Sequence, residues 1–483
     1  MRCRFAIAAL LGSACLVASP ASADTLRDAL ASAYAENPTL EAARAQLRAT
    51  DENVVIQRAS GLPSASSSGT YTEYLKQSST SFISPDRSLS ASVDLTVPLY
   101  QGGAVRNGVR AAETRVEAGR AELRGTESMV FNQVVAAYMD VIRNEAIVRL
   151  SANNVEVLEV NYQATSDRFE IGNLTRTDVA QSDARLAVAR GNLQSAEANL
   201  ITARERYVEL VGTAPGELAP PPPLPGLPAD VDTAVQIALE NNPDLIAAME
   251  RAQASRYDIN VAGAGRMPTL EAYSTGGYQD YLGTLGNPNS PEASTTAQAG
   301  LRLRLPLFQG GRVSARERQA QANSQAALEQ VVATERAIIA QVRGAYTSWR
   351  AASAIVLSSQ SAVDAAALSL EGVRAENTVG NRTILDILNA QQELLNAQVE
   401  LVTARRNAYV AGFTLLAAMG RAEARDLGLS EYGPLYDPVA NYERVRGNVW
   451  DWSQDEDPVT QSVRTVDIPA QDAEIPGNTG AEQ

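Results

Sequence analysis

"VPLYQGG" runs from Val97 to Gly103, and "LPLFQGG" runs from Leu305 to Gly311. Each copy sets apolar residues around a proline, then an aromatic ring, then Gln-Gly-Gly. The two prolines stand 208 positions apart. The residues leading into each copy alternate. In "ASVDLTVPLY", Val93, Leu95 and Val97 fall on one strand face, with Asp94 and Thr96 on the other. In "AGLRLRLPLF", Leu301, Leu303 and Leu305 oppose Arg302 and Arg304. The residues after each copy, 104–170 and 312–379, contain no proline and repeat apolar positions at three and four. Each phrase is therefore a place where a strand hands over to a very long helix. Pro98 and Pro306 stop ladder pairing near the strand end. Gly102, Gly103, Gly310 and Gly311 let the backbone turn sharply.

The phrase belongs to a larger duplication. Pro38 aligns with Pro243 and Pro63 with Pro268, at an offset of 205; beyond the strands the offset is 208, as for Gly172 and Gly380 or Gly212 and Gly420. The first half, 24–213, reads as helix, strands at about 65–100, long helix 104–170 and helix 175–211. The second half, 229–420, repeats the order with strands at about 270–308, long helix 312–379 and helix 383–420. "APGELAPPPPLPGLP", 214–228, joins them as a stiff extended linker. Residues 421–483 form an end segment whose acidic tail reads as disordered. Thr25 to Ser60 reads as a single helix, with Asn37-Pro38 and Asn242-Pro243 as helix starts. At 1.5 Å per residue each long helix spans roughly 100 Å, and two shorter helices stacked end to end would match it.

The chain opens with Arg2 and Arg4, an apolar run from Phe5 to Val17 and an Ala21-Ser22-Ala23 cleavage site. Residues 1–23 read as a signal peptide, too short to be a membrane anchor. Lipidation at Cys15 is disfavoured by Gly12, which stands where a leucine is preferred. Removing the leader removes both cysteines, and the chain has no histidine. Thiol nucleophiles, disulfides, His bases and Cys/His zinc sites are thereby excluded, and no catalytic residue, cofactor or metal is expected. Losing the two leader arginines takes the net charge from −15 to −17, which repels nucleic acid. No further apolar run reaches the length of a membrane-spanning helix.

The strand faces admit two readings. They are half-buried faces of an ordinary sheet, or a membrane barrel wall with apolar side chains toward lipid and Asp94, Arg302 and Arg304 toward a lumen. Duplication of every element favours the barrel, with Tyr100 and Phe308 at the membrane surface. Four strands cannot close a barrel, and an open edge in lipid leaves backbone groups unpaired. Copies of the chain must share one sheet; three would supply twelve strands, although two or four would also close a ring.

Two tight turns join long and short helices: "FEIGNLTRTDV" (Phe169 to Val179) and "NTVGNRTILDI" (Asn377 to Ile387). Gly172 and Gly380 end one helix; Thr175 and Thr383 cap the next, with Asp178 and Asp386 at the third helical position. That reading is structurally complete by itself.

With these features assembled, the chain resembles the TolC-type outer-membrane efflux protein family over about 24–420. "AENPTLEAA", the two Gln-Gly-Gly phrases and "VGNRTILDILNAQQEL" carry the resemblance. It implies a mostly α fold with a small β part, a homotrimer in a Gram-negative outer membrane, a shared 12-stranded β-barrel and a periplasmic α-barrel. It also implies a periplasmic adaptor and an inner-membrane pump of the RND or ABC type. At the tips it implies a closed aperture: a latch from Arg382 to Thr177 and Asp178, and a ring in which Asp386 is the first member. Asn389 stands where a second Asp is frequent, and Asn377 where a Tyr often joins the latch. The implied function is a passive duct for efflux or type I secretion. A trimeric surface adhesin is the alternative, and a carboxylate-dyad enzyme a remote third.

Overall fold

The structure, a computed structural model, describes residues 24–76, 85–284 and 291–475; the leader 1–23 and the last residues lie outside it. The first half runs α1 (Leu26–Glu36), α2 (Pro38–Ala59), β1 (Ser64–Glu73), β2 (Arg87–Gln101), α3 (Ala104–Glu170) and α4 (Arg176–Val211). The second repeats it as α5 (Val231–Asn241), α6 (Pro243–Gly263), β3 (Thr269–Asp280), β4 (Ala293–Arg304), α7 (Arg312–Thr378) and α8 (Ile384–Ala418). A short α9 (Ala440–Val445) follows.

The stretch 25–60 is two helices rather than one. Asn37 is extended at φ −70° and ψ 123°, its Oδ1 accepts from Thr39 N at 2.9 Å, and Pro38 takes the first helical position. Its Nδ2 donates to the Leu210 carbonyl in the last turn of α4, at 2.9 Å. Asn242 does the same in the other half, accepting from Asp244 N at 3.0 Å and donating to Ala418 O at 2.9 Å. Each buried asparagine thus satisfies two groups that helix ends leave free, one donor and one acceptor. The two bonds place α2 at the end of α4, and α6 at the end of α8, alongside a long helix.

That long helix is 67 residues in both halves. On α3 the periodic Val130, Val134, Ala137, Val141 and Val148 are all buried. Yet the two copies are covered unequally. The main contacts of α3 are with α1, α2, α4, α6 and α8, whereas those of α7 are with α5, α6 and α8. Among the described residues α3 buries 23 and α7 buries six. An 18-residue window of α7 reaches a mean hydropathy of 1.3 with 11% of it buried, enough by composition to pass for a membrane span. Its partner α8 runs beside it as α4 runs beside α3, so that window is an uncovered packing face rather than a span.

The linker is extended and docked. Tyr138 Oη lies 2.6 Å from the Ala219 carbonyl and 2.9 Å from the Asp24 carbonyl, while its duplicate Tyr346 donates to Ala229 O at 2.8 Å. The end segment is not a loose tail up to residue 475. Buried Arg204 pairs with Glu145 at 3.0 Å and with Asp472 at 3.2 Å, and Ala473 and Ile475 pack on the main core. Apolar residues spaced through the acidic sequence supply the grip that composition alone hides.

Where this segment first returns to α3 it buries carboxylates. Glu423 takes ion pairs from Arg124 at 2.6 Å and Arg425 at 2.7 Å. Burial pushes the neighbouring Glu127 carboxyl up to about 7, with Glu423's charge adding to the rise and the Ala424 N–H opposing it. The folded chain therefore holds this proton more tightly than the unfolded chain. Glu127 costs nothing at low pH and destabilises increasingly as pH climbs from about 4.5 to about 7. Glu127→Gln is expected to match the parent protein near pH 4.5 and to exceed it by about 1–3 kcal/mol at pH 8. Denaturant unfolding at both pH values checks this; an equal difference at the two would overturn it.

Candidate functional site

The four strands form one antiparallel sheet in the order β1-β2-β3-β4. Ser64 pairs with Thr96 in the first hairpin and Thr269 with Arg304 in the second, the same register under the duplication offsets. The polarity of the sheet is inverted relative to a soluble protein. Along β2 the apolar Leu89, Val93 and Leu95 are exposed, Val93 at 60%, while Ser88, Ser90, Ser92, Asp94 and Thr96 are half-buried. On β4, Leu301 and Leu303 are 69% and 68% exposed. No described element covers this apolar face, so the half-buried-sheet reading fails.

The polar face is internally bonded. Asp94 accepts from Thr275 Oγ1 at 2.9 Å and Ser92 Oγ at 3.0 Å. Arg302 donates to Glu271, its cross-strand partner, at 2.7 Å and lies 4.6 Å from the centre of the Tyr273 ring. Arg304 stands opposite Thr269 on the same face. The three lumen candidates therefore share one side.

At the junctions the two copies differ. Pro98 was expected to end pairing, but β2 continues to Gln101, with a register shift between Pro98 and Tyr100. The bulge absorbs the residue that has no N–H to give. In the second copy the ladder does stop, at Arg304, before Pro306, and Phe308 lies beyond the strand at 89% exposure. All four glycines have positive φ: Gly102 64°, Gly103 85°, Gly310 60° and Gly311 78°. Gly102 is also sterically required, since a Cβ there would lie 2.8 Å from the Ala264 carbonyl oxygen. The glutamine of the phrase has its own function, which its sequence did not announce. Gln101 Nε2 donates to Ser60 O at 3.2 Å and Gln309 Nε2 to Gly265 O at 2.9 Å. Each ties the strand's exit to the end of the preceding short helix.

At the far end lie the tips. Gly172 (φ 78°) and Gly380 (φ 84°) turn the chain left-handed. Thr175–Asp178 and Thr383–Asp386 both form complete capping boxes. Bonds from the threonine hydroxyl and backbone hold Asp178 and Asp386 below the usual carboxylate range. Asn377 Nδ2 donates to Arg382 O at 2.7 Å and closes the second tip. The pairing expected between Arg382 and Asp178 is not made within the chain. Arg382 Nε instead reaches Glu376 at 2.7 Å, and Asp178 Oδ2 is taken by Thr175. Thr177 is exposed on the first turn of α4. Asn389 accepts from Arg185 at 3.0 Å, and Gln391 accepts from Asn161 at 3.0 Å, so polar bonds link the two helical hairpins just behind the tips.

An outward apolar sheet at one end, long paired helices and two capped tips at the other describe a wall segment rather than a pocket. The family model for outer membrane efflux proteins matches residues 29–213 and 234–421, one match per half. The chain belongs to the outer membrane efflux protein family. It is 33% identical over 443 residues to the outer membrane efflux protein BepC of Brucella suis biovar 1 (strain 1330), covering 91% of this chain and 94% of that one. Outer membrane protein TolC of Escherichia coli (strain K12) is 26% identical over 336 residues, 66% of each chain. The crystal structure of the Campylobacter jejuni CmeC outer membrane channel superposes with a TM-score of 0.72 at 17% identity, covering 88% of this chain and 90% of that one. This efflux protein accordingly resides in the outer membrane of a Gram-negative envelope, and its helices form the long periplasmic part.

Proposed function

We propose that three copies of this efflux protein close into one passive duct. Its twelve-stranded barrel crosses the outer membrane and its helical tunnel crosses the periplasm. A periplasmic adaptor and an inner-membrane pump, of RND or ABC type, supply the energy that the duct lacks. Family membership supports the efflux channel. The observation that carries closure is the unequal covering of α3 and α7, two duplicates of equal length. A neighbour's α2 and α4 laid on α7 would reproduce what α6 and α8 do for α3. The open edges of β1 and β4 call for the same neighbour. A surface adhesin with one terminal strand block has no use for strands that interrupt the helices twice.

The duplication also sets the seam. Carrying the β2–β3 register through the two offsets places Leu301 opposite Tyr71, Leu303 opposite Gly69 and Leu305 opposite Ser67 of the next copy. Phe308 then falls opposite Ala65, which gives the unpaired 305–308 stretch its missing partner. The mature chain has no native cysteine to interfere. Ser67→Cys with Leu305→Cys in one chain should oxidise to a covalent ladder ending at trimer on denaturing gels. Ser66→Cys with Leu305→Cys, which puts the thiols on opposite faces, should not. No ladder from the first pair would overturn the seam, and a ladder ending at dimer or tetramer would overturn the trimer.

At the tips, the resting duct is held closed by Arg382 acting on Thr177 and Asp178. The bonds within the chain leave this open: Arg382 uses only Nε, and Asp178 uses only Oδ2. One exposed pair is worth about 1 kcal/mol or less, so the latch works as a network with the hairpin links behind it. Arg382→Ser is expected to raise single-channel conductance in planar bilayers; unchanged conductance would remove the latch.

Asp386 lines the constriction as a ring of one carboxylate per copy, the second position being the neutral Asn389. A carboxylate ring binds multivalent cations. Asp386→Asn retains an acceptor for the Thr383 cap while losing the charge, so it separates capping from ring. Block by trivalent cations should weaken in this variant, and unaltered block would place Asp386 outside the pore.

A further inference from the structure

The end segment after residue 421 lies beyond the family match, and it holds two of the chain's three tryptophans. Trp450 and Trp452 are 69% and 80% exposed, and Val449 beside them is exposed as well. The third, Trp349, packs edge-on against Tyr346 at 5.8 Å. Large exposed indoles on a well-held backbone need an occupant.

Their position is fixed by contacts on α2 and α3. Asn441 in α9 donates to the buried Asp51 at 2.8 Å, and Tyr442 packs on the cluster of Val54, Ala112 and Val116. The chain then climbs along α2, where the Arg58 guanidinium bonds the Arg446 carbonyl. Arg58 is two residues, or roughly 3 Å of helix axis, from Ser60. Ser60 is the residue whose carbonyl takes the Gln101 side chain at the last position of β2. The segment therefore reaches the base of the sheet. There it turns back: Ser453 N donates to Trp450 O at 3.1 Å, and Arg444 grips Asp455 through two bonds of 2.8 and 2.9 Å. The result is a closed loop, 445–454, that leaves α2 near Arg58, within about one helical turn of the base of the sheet, and carries both exposed indoles.

We propose that this loop is an interfacial anchor, with Trp450 and Trp452 seated in the headgroup layer of the periplasmic leaflet of the outer membrane. Tryptophan favours that layer because its ring is apolar and its N–H is not. At the base of β2, Leu95, Leu99 and Tyr100 are exposed apolar residues as well. A cavity of about 660 Å³ at the junction of β2 and α3 is lined by Tyr100, Arg106 and Arg110, and neither guanidinium has a partner among the described residues. These arginines suit a lipid phosphate. Asp451 between the indoles and Glu456 and Asp457 beyond them repel an anionic surface. The lipid is therefore a zwitterionic phospholipid, whose ammonium donates to the carboxylates and whose phosphate accepts from the arginines.

This inference rests on the outer-membrane barrel, so its test reads the two separately. The full chain carrying Trp349→Phe is reconstituted as the assembled oligomer into phosphatidylethanolamine-rich vesicles with or without acyl chains brominated near the headgroup. Fluorescence of Trp450 and Trp452 should be quenched by the brominated lipid, and Trp450→Ser with Trp452→Ser should abolish the emission. A separate variant with Trp349→Phe, Trp450→Ser and Trp452→Ser plus Val93→Trp reports the barrel wall. Quenching at position 93 without quenching of the loop overturns the anchor and leaves the barrel standing. Loop emission that is blue-shifted equally in detergent and in vesicles, and unquenched, overturns it in favour of contact with a neighbouring copy. Absence of quenching at position 93 overturns the barrel itself.

Discussion

Everything in this structure follows from an apolar sheet face with nothing over it and two strand edges with nothing beside them. In water such a sheet would collapse onto a core or aggregate. In lipid the exposed leucines and valines are satisfied, but the edge N–H and C=O groups are not, because hydrocarbon offers no hydrogen-bond partner. Lipid solves the face and only closure solves the edge. The same incompleteness recurs in the helices, where α7 buries far less of its length than its duplicate α3. Two different kinds of surface, pleated and helical, thus ask for the same neighbour in the same direction.

Much of this was legible in the residues. The alternation through Val93, Leu95 and Val97, the Gly-Gly turn and the proline-free runs gave strands, junctions and 67-residue helices within a few positions. Duplication carried most of that weight, since each weak local signal occurs twice in the same order. The break at Asn37 was half legible. Asn-Pro marks a helix start, but whether a helix continues through it depends on what accepts the Asn side chain. That acceptor, Leu210, lies 173 residues away. The roles of Gln101 and Gln309 were hidden for the same reason: a glutamine near glycines says nothing about a distant carbonyl that needs a donor.

The bulge at Pro98 and the clean stop before Pro306 show a second limit. The two phrases are nearly identical, yet one strand is paired beyond its proline and the other is not. The difference lies in the neighbour, since β2 has β3 alongside and β4 is an edge. Local sequence sets what a strand can do, and topology decides whether it does so within the chain. The tips divide in the same way. Capping boxes are short-range and were readable from Gly, Thr and Asp at three-residue spacing. The partner of Arg382 was not, because Glu376 sits on the same turn and competes with any longer reach.

The acidic end segment departs furthest from what its composition implies. Net charge and low apolar content argue against a packed core, and the segment has none of its own. It borrows one instead. Arg204, buried on α4, neutralises Glu145 and Asp472 together, and Asn441 meets the buried Asp51, so the helices of the first half supply the charges and apolar surface that the segment lacks. Residues that follow α8 are thus held by α2, α3 and α4, and this segment links the two halves.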